Sequence, residues 1–591
     1  MLVRPVTQNS HQWEPVHTNS PQIILCFVSL SSSTFLSYFP HRKYRSIRQY
    51  NMFERFLVAA VALLASYLYI KLRYIRFRQY AHIPQLPNHL LLGHLKVFGE
   101  FMQRGVHDRH PDKIFEEMWA SIGRPPVMLV DLRPINPPMA LICGHDIAEQ
   151  ISKSTKLFPF SPPKSPTLSH MIPIIGSTSI LGREGVDWKD LRKRYNPGFS
   201  PQHLWSLLPL ILDKMEPFWN YLDQFAASGS TFSLETLISN LTFDVIGAAV
   251  MEVHLNAQHM DHSKQSEVIR LFRELLQTYN DDKNNLPWWI IPLTTWKRNR
   301  LAKRTDMLVK HMIQQKYTEI REEADGNRSR SILALSFQDT EALTPQLLST
   351  TADQIRSFLF AGHDTNTSAL QWAFYELSRT PRALKAVRDE LDSVLGPDSD
   401  PRAVCAALAR NGEHLLPLMR YTNAVFKETL RLHPPASTVR MTEPGTGFTV
   451  HAPTGEEYCL DGVIMYSCQA VIQRDPAVYG DTADDWVPER WLGEAAQSIP
   501  PSAWRPFERG PRNCIGLELA NLESRVIIAI VARRYDFVKV GLGENALDEK
   551  GLPTLNEKGQ YEVESELYNT RRMTSKPVDG TIMRVKLASK P

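Results

Sequence analysis

Phe507-Glu508-Arg509-Gly510-Pro511-Arg512-Asn513-Cys514-Ile515-Gly516 reads FERGPRNCIG and runs directly into the helical pattern LELANLESRVIIAIVARR, Leu517 to Arg534. A cysteine in that position has the surroundings of a metal ligand. The N-terminus of the coming helix and the neighbouring Arg512 both favour a thiolate. Gly510 and Gly516 let the backbone lie close to a large planar ligand. A lone cysteine is otherwise a small hydrophobe, and Cys405 and Cys468 are read that way.

The composition around this segment is globular. Of 591 residues, 43% are hydrophobic, 22% charged and 9% aromatic, which excludes wholesale disorder and fibrous repeats. Lys+Arg 67 against Asp+Glu 63 leaves a net charge of +4, too balanced for a nucleic-acid binder with a basic face. The six cysteines (Cys26, Cys143, Cys405, Cys459, Cys468, Cys514) contain no CxxC pair. That argues against a zinc ribbon and a disulfide scaffold, and fits a reducing compartment. Length alone allows about four domains or one large α-rich fold.

Upstream, Phe56 to Ile70 (FLVAAVALLASYLYI) is uncharged and spans about 22 Å as a helix. Extended from Phe53 to Leu72 it reaches the roughly 20 residues a bilayer needs, with Glu54, Arg55 and Lys71 near enough to the ends to snorkel. Lys71, Arg73, Arg76 and Arg78 follow, and this excess of positive charge places the C-terminal side in the cytosol. Residues 1–51 carry an apolar run from Ile23 to Phe39 and the basic cluster Arg42, Lys43, Arg45, Arg48. They read as a transit peptide, a second anchor, or a stretch ahead of a functional start at Met52. The expected division is therefore a leader over 1–51, an anchor over 52–80 and a catalytic domain over 81–591. Pro84 and Pro87 form a stiff linker at its entrance. From Trp188 to Gly396 the pattern is mainly helical, including Leu234 to Val250 and Leu347 to Leu377, whereas Ala436 to Ile464 suggests small hairpins. The sequons at Asn240, Asn327 and Asn366 are chance matches in a cytosolic domain.

The segment around Cys514 resembles the haem-binding signature FxxGxRxCxG of the cytochrome P450 family at each fixed position: Phe507, Gly510, Arg512, Cys514 and Gly516. Further family motifs occur in the expected order from about Pro84 onward. Glu428 and Arg431 form an ExxR pair on one helix face. Arg490, in Pro488-Glu489-Arg490-Trp491, supplies the third member of the family's buried Glu-Arg-Arg network, which is structural. Phe360-Ala361-Gly362-His363-Asp364-Thr365 resembles the oxygen-activation motif [AG]Gx[DE]T. Ala361 and Gly362 would leave space for dioxygen and permit local helix opening. The Thr365 hydroxyl and Asp364 carboxylate would pass protons. Asn366 stands where the family more often has Thr or Ser. By family position, Arg192, Arg440 and Arg512 would meet the haem propionates, with Trp188 joining Arg192 through its indole N–H. His433 would shape a loop rather than ligate. Gly541-Leu542-Gly543-Glu544-Asn545-Ala546 fits GxGxxA after a strand-like Tyr535 to Val540, but Gly551 and Pro553 leave no room for the helix a nucleotide site needs.

The resemblance implies the cytochrome P450 fold, mainly α with a smaller β-rich part, preceded by a transmembrane helix. It implies haem b with iron held by Cys514 and a monooxygenase reaction. Electrons would come from NADPH through a separate NADPH-cytochrome P450 reductase, with cytochrome b5 as a second donor. The implied location is the endoplasmic reticulum membrane. The phrasing of the motifs is similar to fungal secondary-metabolism enzymes, including the sterigmatocystin type. That suggests an apolar polyketide or terpenoid substrate, touching Ser161 to Leu181, Phe358, Phe360, Ala436 to Val439 and Val578 to Gly580. Alternatives are a fatty-acid or xenobiotic hydroxylase, and a haem-thiolate isomerase or dehydratase that does not use O2.

Overall fold

The apolar stretch near the N-terminus forms a continuous helix, α1 (Lys43–Phe77). The computed structural model describes residues 43–281, 289–322, 329–338 and 340–588, with side chains from residue 52. The leader assigned to residues 1–51 lies outside these, save for the backbone of 43–51. Over Met52–Phe77 the helix is long and apolar enough to cross a membrane, and Phe53, Phe56 and Leu63 are exposed. A helix that is apolar all round is stable only in a core or a bilayer.

The chain divides into two compact units, one ending at Lys71 and the other running from Leu72 onward. The second unit takes in residues that the sequence reading placed in the anchor. Arg76 is buried and its Nη1 lies 2.7 Å from Asp131, while Tyr80 and Ile83 belong to a hydrophobic cluster with Val127, Ile142 and Val450. The Pro84–Pro87 segment lies along a strand, with Leu129 N–H donating to Pro84 O at 2.8 Å.

This unit is mainly α with a smaller β-rich part, as the sequence implies. Four helices matter most for the site: α2 (Gly185–Tyr195), α3 (Leu234–Met251), α4 (Pro345–Arg379) and α5 (Arg420–Leu432), with α6 (Leu517–Val531) following the cysteine loop. Local chemistry sets their starts. Ser233 caps α3 by accepting from Thr236 N–H, and Thr344 caps α4 by accepting from Leu347 N–H, with Pro345 at its first position. Helix α5 is capped from a distance: the Glu390 carboxylate accepts from Tyr421 and Thr422 N–H at 2.5 and 2.9 Å.

Helix α3 is also apolar enough for a membrane, but 83% of that stretch is buried, so it is a core helix. It crosses α4 closely. A Cβ on Gly362 would come within 2.6 Å of Ile246 Cδ1, and His363 stacks on Phe243 at 3.7 Å.

The β-rich part contains a four-stranded sheet ordered β1 (Val127–Val130), β2 (Met139–Ile142), β7 (Ile464–Ser467), β4 (Thr438–Met441), in which only the β2–β7 pairing is parallel. Within the 436–464 region one hairpin forms, β5 (Thr449–His451) with β6 (Glu457–Cys459), whereas β4 and β7 pair with each other. A three-stranded sheet joins β3 (Phe232–Ser233), β11 (Ile582–Leu587) and β8 (Tyr535–Lys539). A short hairpin of β9 (Asn569–Arg571) and β10 (Ser575–Pro577) packs against α4, with Ser368 Oγ donating to Ser575 O at 2.5 Å. After β8 the chain turns at Gly541 and Gly543, both at φ 80°, and among the described residues no helix follows, so the GxGxxA match has no nucleotide-binding context. Asn240 and Asn366 are buried, and Asn327 lies outside the described residues.

Candidate active site

Arg431 and Glu428 fasten the frame beneath the cysteine loop. Both are fully buried, and Arg431 donates from Nε and Nη2 to the two Glu428 oxygens at 2.9 and 2.8 Å. Arg490 Nε, Val487 N–H and Trp491 Nε1 also donate to Glu428, at 2.9, 2.8 and 2.9 Å. The remaining Arg431 donors reach the carbonyls of Gln473, Ala483 and Asp485. The network has no spare group for chemistry.

The cysteine loop is folded by its own backbone. Cys514 N–H donates to Phe507 O at 2.8 Å and Asn513 N–H to Gly510 O at 3.2 Å. Gly510 sits at φ 74°, and a Cβ there would lie 2.0 Å from Ser152 O, so only glycine fits. Gly510 therefore shapes the loop from outside the cavity. Arg505, fully buried, ties the loop to Glu149, Ser152 and Ala148 O. Gly516 caps α6, and a Cβ on it would stand 3.9 Å from Cys514 Sγ.

Cys514 lies on the wall of a cavity of about 280 Å³, where α4, α6, α2 and the loop before β4 converge. Of the predicted site residues, Trp188, Arg192, Ala361, Gly362, Thr365, Phe507, Arg512, Cys514 and Gly516 line it. Asp364, Arg440 and Gly510 do not.

Burial pushes the Cys514 thiol up, opposed by the Gly516 N–H and by Arg192 and Lys164. The loop backbone and these two cations oppose that rise; Arg512, which the sequence put forward for that role, is paired with Glu184 at 2.5 Å and lies over the Trp188 ring at 4.7 Å. Arg192 donates from Nη1 and Nη2 to Asn513 O and Oδ1 at 2.7 and 3.0 Å, so it clamps the loop. The thiols of Cys405 and Cys468 are also raised by burial, Cys405 to about 12, and there neighbouring carboxylates add to the rise.

Sequence reasoning missed Lys164. It lines the cavity, donates to Thr438 Oγ1 at 2.7 Å, and burial followed by the charges of Arg440 and Arg512 lowers it to about 7. A lysine in a proline-rich loop gives no pattern that would have singled it out. Arg440, bridged to Lys164 through the backbone, is fully buried. Its Nη1 donates to Pro162 O, while Nε and Nη2 have no partner among the described residues.

On the opposite wall α4 runs unbroken through Ala361–Thr365. The Thr365 hydroxyl donates to Ala361 O at 2.8 Å. Gly362 is needed for the close crossing with Ile246 as well as for space in the cavity. Asp364 faces away. Its carboxylate meets Lys576 at 2.5 Å and accepts from Thr574 Oγ1 at 2.7 Å, and although burial raises its pKa, Lys576 and these bonds outweigh that and keep it ionised. His433 lies outside the cavity, stacked on Trp372 at 3.7 Å and 3.2 Å from Glu376.

A single open thiol, a cradle of glycine backbone and an edge of buried cations fit a planar cofactor that binds iron and carries anionic groups. The orphaned Arg440 nitrogens are the sharpest sign that an anion belongs there. A sequence model of the cytochrome P450 family matches residues 84–563.

The chain belongs to the cytochrome P450 family. Among curated relatives of this P450, the cytochrome P450 monooxygenase acrF of Aspergillus aculeatus is 29% identical over 455 residues, 73% of this chain and 88% of the relative. The cytochrome P450 monooxygenase polC of Polytolypa hystricis is 28% identical over 516 residues, 83% of this chain and 88% of the relative. A bifunctional cytochrome P450/NADPH--P450 reductase of Gibberella moniliformis is 28% identical over 311 residues, 51% of this chain and 26% of the relative. This chain is thus an oxidoreductase of the P450 monooxygenase family, and the family implies haem-thiolate iron.

The expected substrate contacts are met in part. Ile180, Leu181, Phe358 and residues 436–438 line the cavity. Met171, Ile174, Ile175, Phe360, Val439 and residues 578–580 do not. Ile174 and Ile175 are core residues, and Asp579 pairs with Lys539. Phe199, Ile246, Leu430 and Glu523, which the sequence did not suggest, complete the wall.

Proposed function

We propose that this P450 inserts one oxygen atom of O2 into a medium-sized, largely apolar metabolite of the polyketide or terpenoid class. The wall formed by Ile180, Leu181, Phe199, Ile246, Phe358, Ala369 and Leu430 carries this reading. It offers few polar partners, so affinity would come from apolar burial at about 25 cal/mol per Å² and regioselectivity from shape. Related monooxygenases from fungi are in keeping with a role in fungal secondary metabolism.

Cys514 would hold the iron, Arg440 and Lys164 would take the anionic edge, and Arg192 would act through Asn513 to keep the loop closed. The haem, when bound, supplies the redox centre at which dioxygen is reduced. Thr365 presents a hydroxyl on the cavity wall, bonded to Ala361 O, which can turn to pass a proton. Asp364, held by Lys576 and Thr574, fixes α4 against the β9–β10 hairpin.

Electrons would come from NADPH through a separate NADPH-cytochrome P450 reductase, a pairing that the fused relative carries in one chain. The apolar helical stretch that begins at Met52 would anchor the protein in the endoplasmic reticulum membrane, with the anchor ending before the buried Arg76 and Tyr80. Exposed Lys71, Arg73 and Arg78 would place the domain from residue 81 onward in the cytosol. Arg76, paired with Asp131, does not contribute to that charge bias.

Deleting the gene in its host and profiling metabolites tests the substrate. Accumulation of a less oxidised polyketide or terpenoid supports the assignment. An unmodified fatty acid or a charged primary metabolite would overturn it.

A further inference from the structure

Glu523 lies on α6, faces the cavity and takes no part in the chemistry described above. Its side chain is buried, with Oε2 accepting from Asn366 Nδ2 at 2.6 Å and Oε1 left without a partner among the described residues. Asn366 directly follows Thr365 on α4, so the carboxyl and the hydroxyl share one stretch of wall.

Among the described residues no cation neutralises this carboxyl. On α5, Arg431 belongs to Glu428, and Lys427 lies over the Trp491 and Trp504 rings. On α6 itself Arg525 donates to Leu416 O. On α4 Asp364 is tied to Lys576, and His363 is bonded to Leu359 O. From the helices Pro201–Asp213 and Pro401–Leu418, Asp213 pairs with Lys214 and Arg402 with Glu216, Arg410 donates to Ala406 O, His203 is half-buried, and Glu413 and His414 are exposed. Of the charged residues on the cavity wall, Lys164, Arg192 and Arg512 are engaged with Thr438, Asn513 and Glu184, and Glu508 pairs with Arg505. Burial, opposed only by the Asn366 hydrogen bond, raises the Glu523 carboxyl to about 8. It therefore holds a proton at neutral pH, and Oε1 is the oxygen free to carry it.

We propose that Glu523 is a proton store for oxygen reduction in this cavity, with Asn366 as its positioning residue. The two carboxylic residues nearest Thr365 in this part of the fold differ in kind: Asp364 faces away from the cavity, locked as an anion by Lys576, whereas Glu523 lines the cavity and has a proton to give. The inference rests on the monooxygenase reading, in which each O2 takes two electrons, from NADPH, and two protons. In the step itself the Glu523 O–H bond breaks and H+ passes to reduced oxygen in the cavity, directly or through Thr365. The carboxylate left behind keeps the Asn366 hydrogen bond and regains H+ from water.

The test uses the full haem-loaded protein. Infrared difference spectra between H2O and D2O should show the carbonyl stretch of a buried protonated acid, absent in Glu523→Gln and shifted in Asn366→Val. With purified NADPH-cytochrome P450 reductase and no added substrate, oxygen-dependent NADPH consumption should be slower in D2O. In Glu523→Gln it should fall by about tenfold and lose that isotope effect, with the CO-bound spectrum retained and Glu523→Asp restoring part of the rate. An acid carbonyl band that persists in Glu523→Gln overturns the proposal, as does an unchanged rate and isotope effect. A wild-type protein that consumes no NADPH would count against the monooxygenase reading, and the infrared measurement would still decide whether Glu523 stores a proton. If Glu523→Gln does not take up haem, the Asn366→Val band decides: a shift supports the proposal and an unmoved band overturns it.

Discussion

Glu428 with Arg431 and Arg490 is one buried charge cluster; Lys164 with Arg440 and Arg512 is another, and they are built on opposite terms. In the first, a single carboxylate accepts five hydrogen bonds, and the donors left on Arg431 all reach carbonyls. In the second, three cations gather where Glu184 and Glu508 offset them, and two nitrogens of Arg440 are buried without partners among the described residues. A completed network is a fastening, with nothing left to offer a ligand. An incomplete one costs stability until an anion joins it, which marks it as a binding edge.

Breaking the completed cluster should have the largest effect. Arg431→Leu leaves Glu428 buried and uncompensated, a loss of about 3–5 kcal/mol. It should appear as a lower denaturant midpoint and little haem incorporation. A stable, haem-loaded Arg431→Leu protein would break the distinction.

Arg440→Leu should separate the two forms of the protein. The chain stripped of haem keeps or gains stability, because two orphaned nitrogens vanish. The loaded form loses charged hydrogen bonds of about 1.5–3 kcal/mol. Thermal melting of both forms, with the rate of haem transfer to apomyoglobin, checks this; equal shifts in both would contradict it.

The smallest effect sharpens the comparison through pH. Lys164 is lowered from 10.5 to about 7, so between those values the unfolded chain binds a proton that the folded, haem-free chain does not. Stability of the haem-free chain should therefore rise with pH across that window. Lys164→Met should flatten the rise, and titrated denaturation curves with and without the substitution measure it.

How much of this was legible in the sequence follows the same division. The fastening cluster was readable because ExxR places Glu428 and Arg431 on one helix face; Gly510 was read as making room for a planar ligand, whereas it is the backbone contact with Ser152 O that requires it. The fold class followed from the family motifs and from long apolar-periodic stretches that became α3 and α4. The binding edge was readable only in part. Lys164 reaches the cavity through a bridge to Arg440 that no local pattern encodes, and Glu523 looks like any polar residue on an amphipathic helix until α4 covers it. Asp364 was assigned to proton transfer by its motif alone. Lys576, 212 positions further along, turns it away from the cavity, and that pairing exists only once the β9–β10 hairpin has folded onto α4.

The central claim is that Cys514 is the axial thiolate of a haem held in this cavity. The spectrum of the reduced, CO-bound protein tests it most directly. The account predicts a thiolate-type spectrum for the wild-type chain and its loss in Cys514→Ala. A Cys514→Ala protein that kept that spectrum would contradict the account.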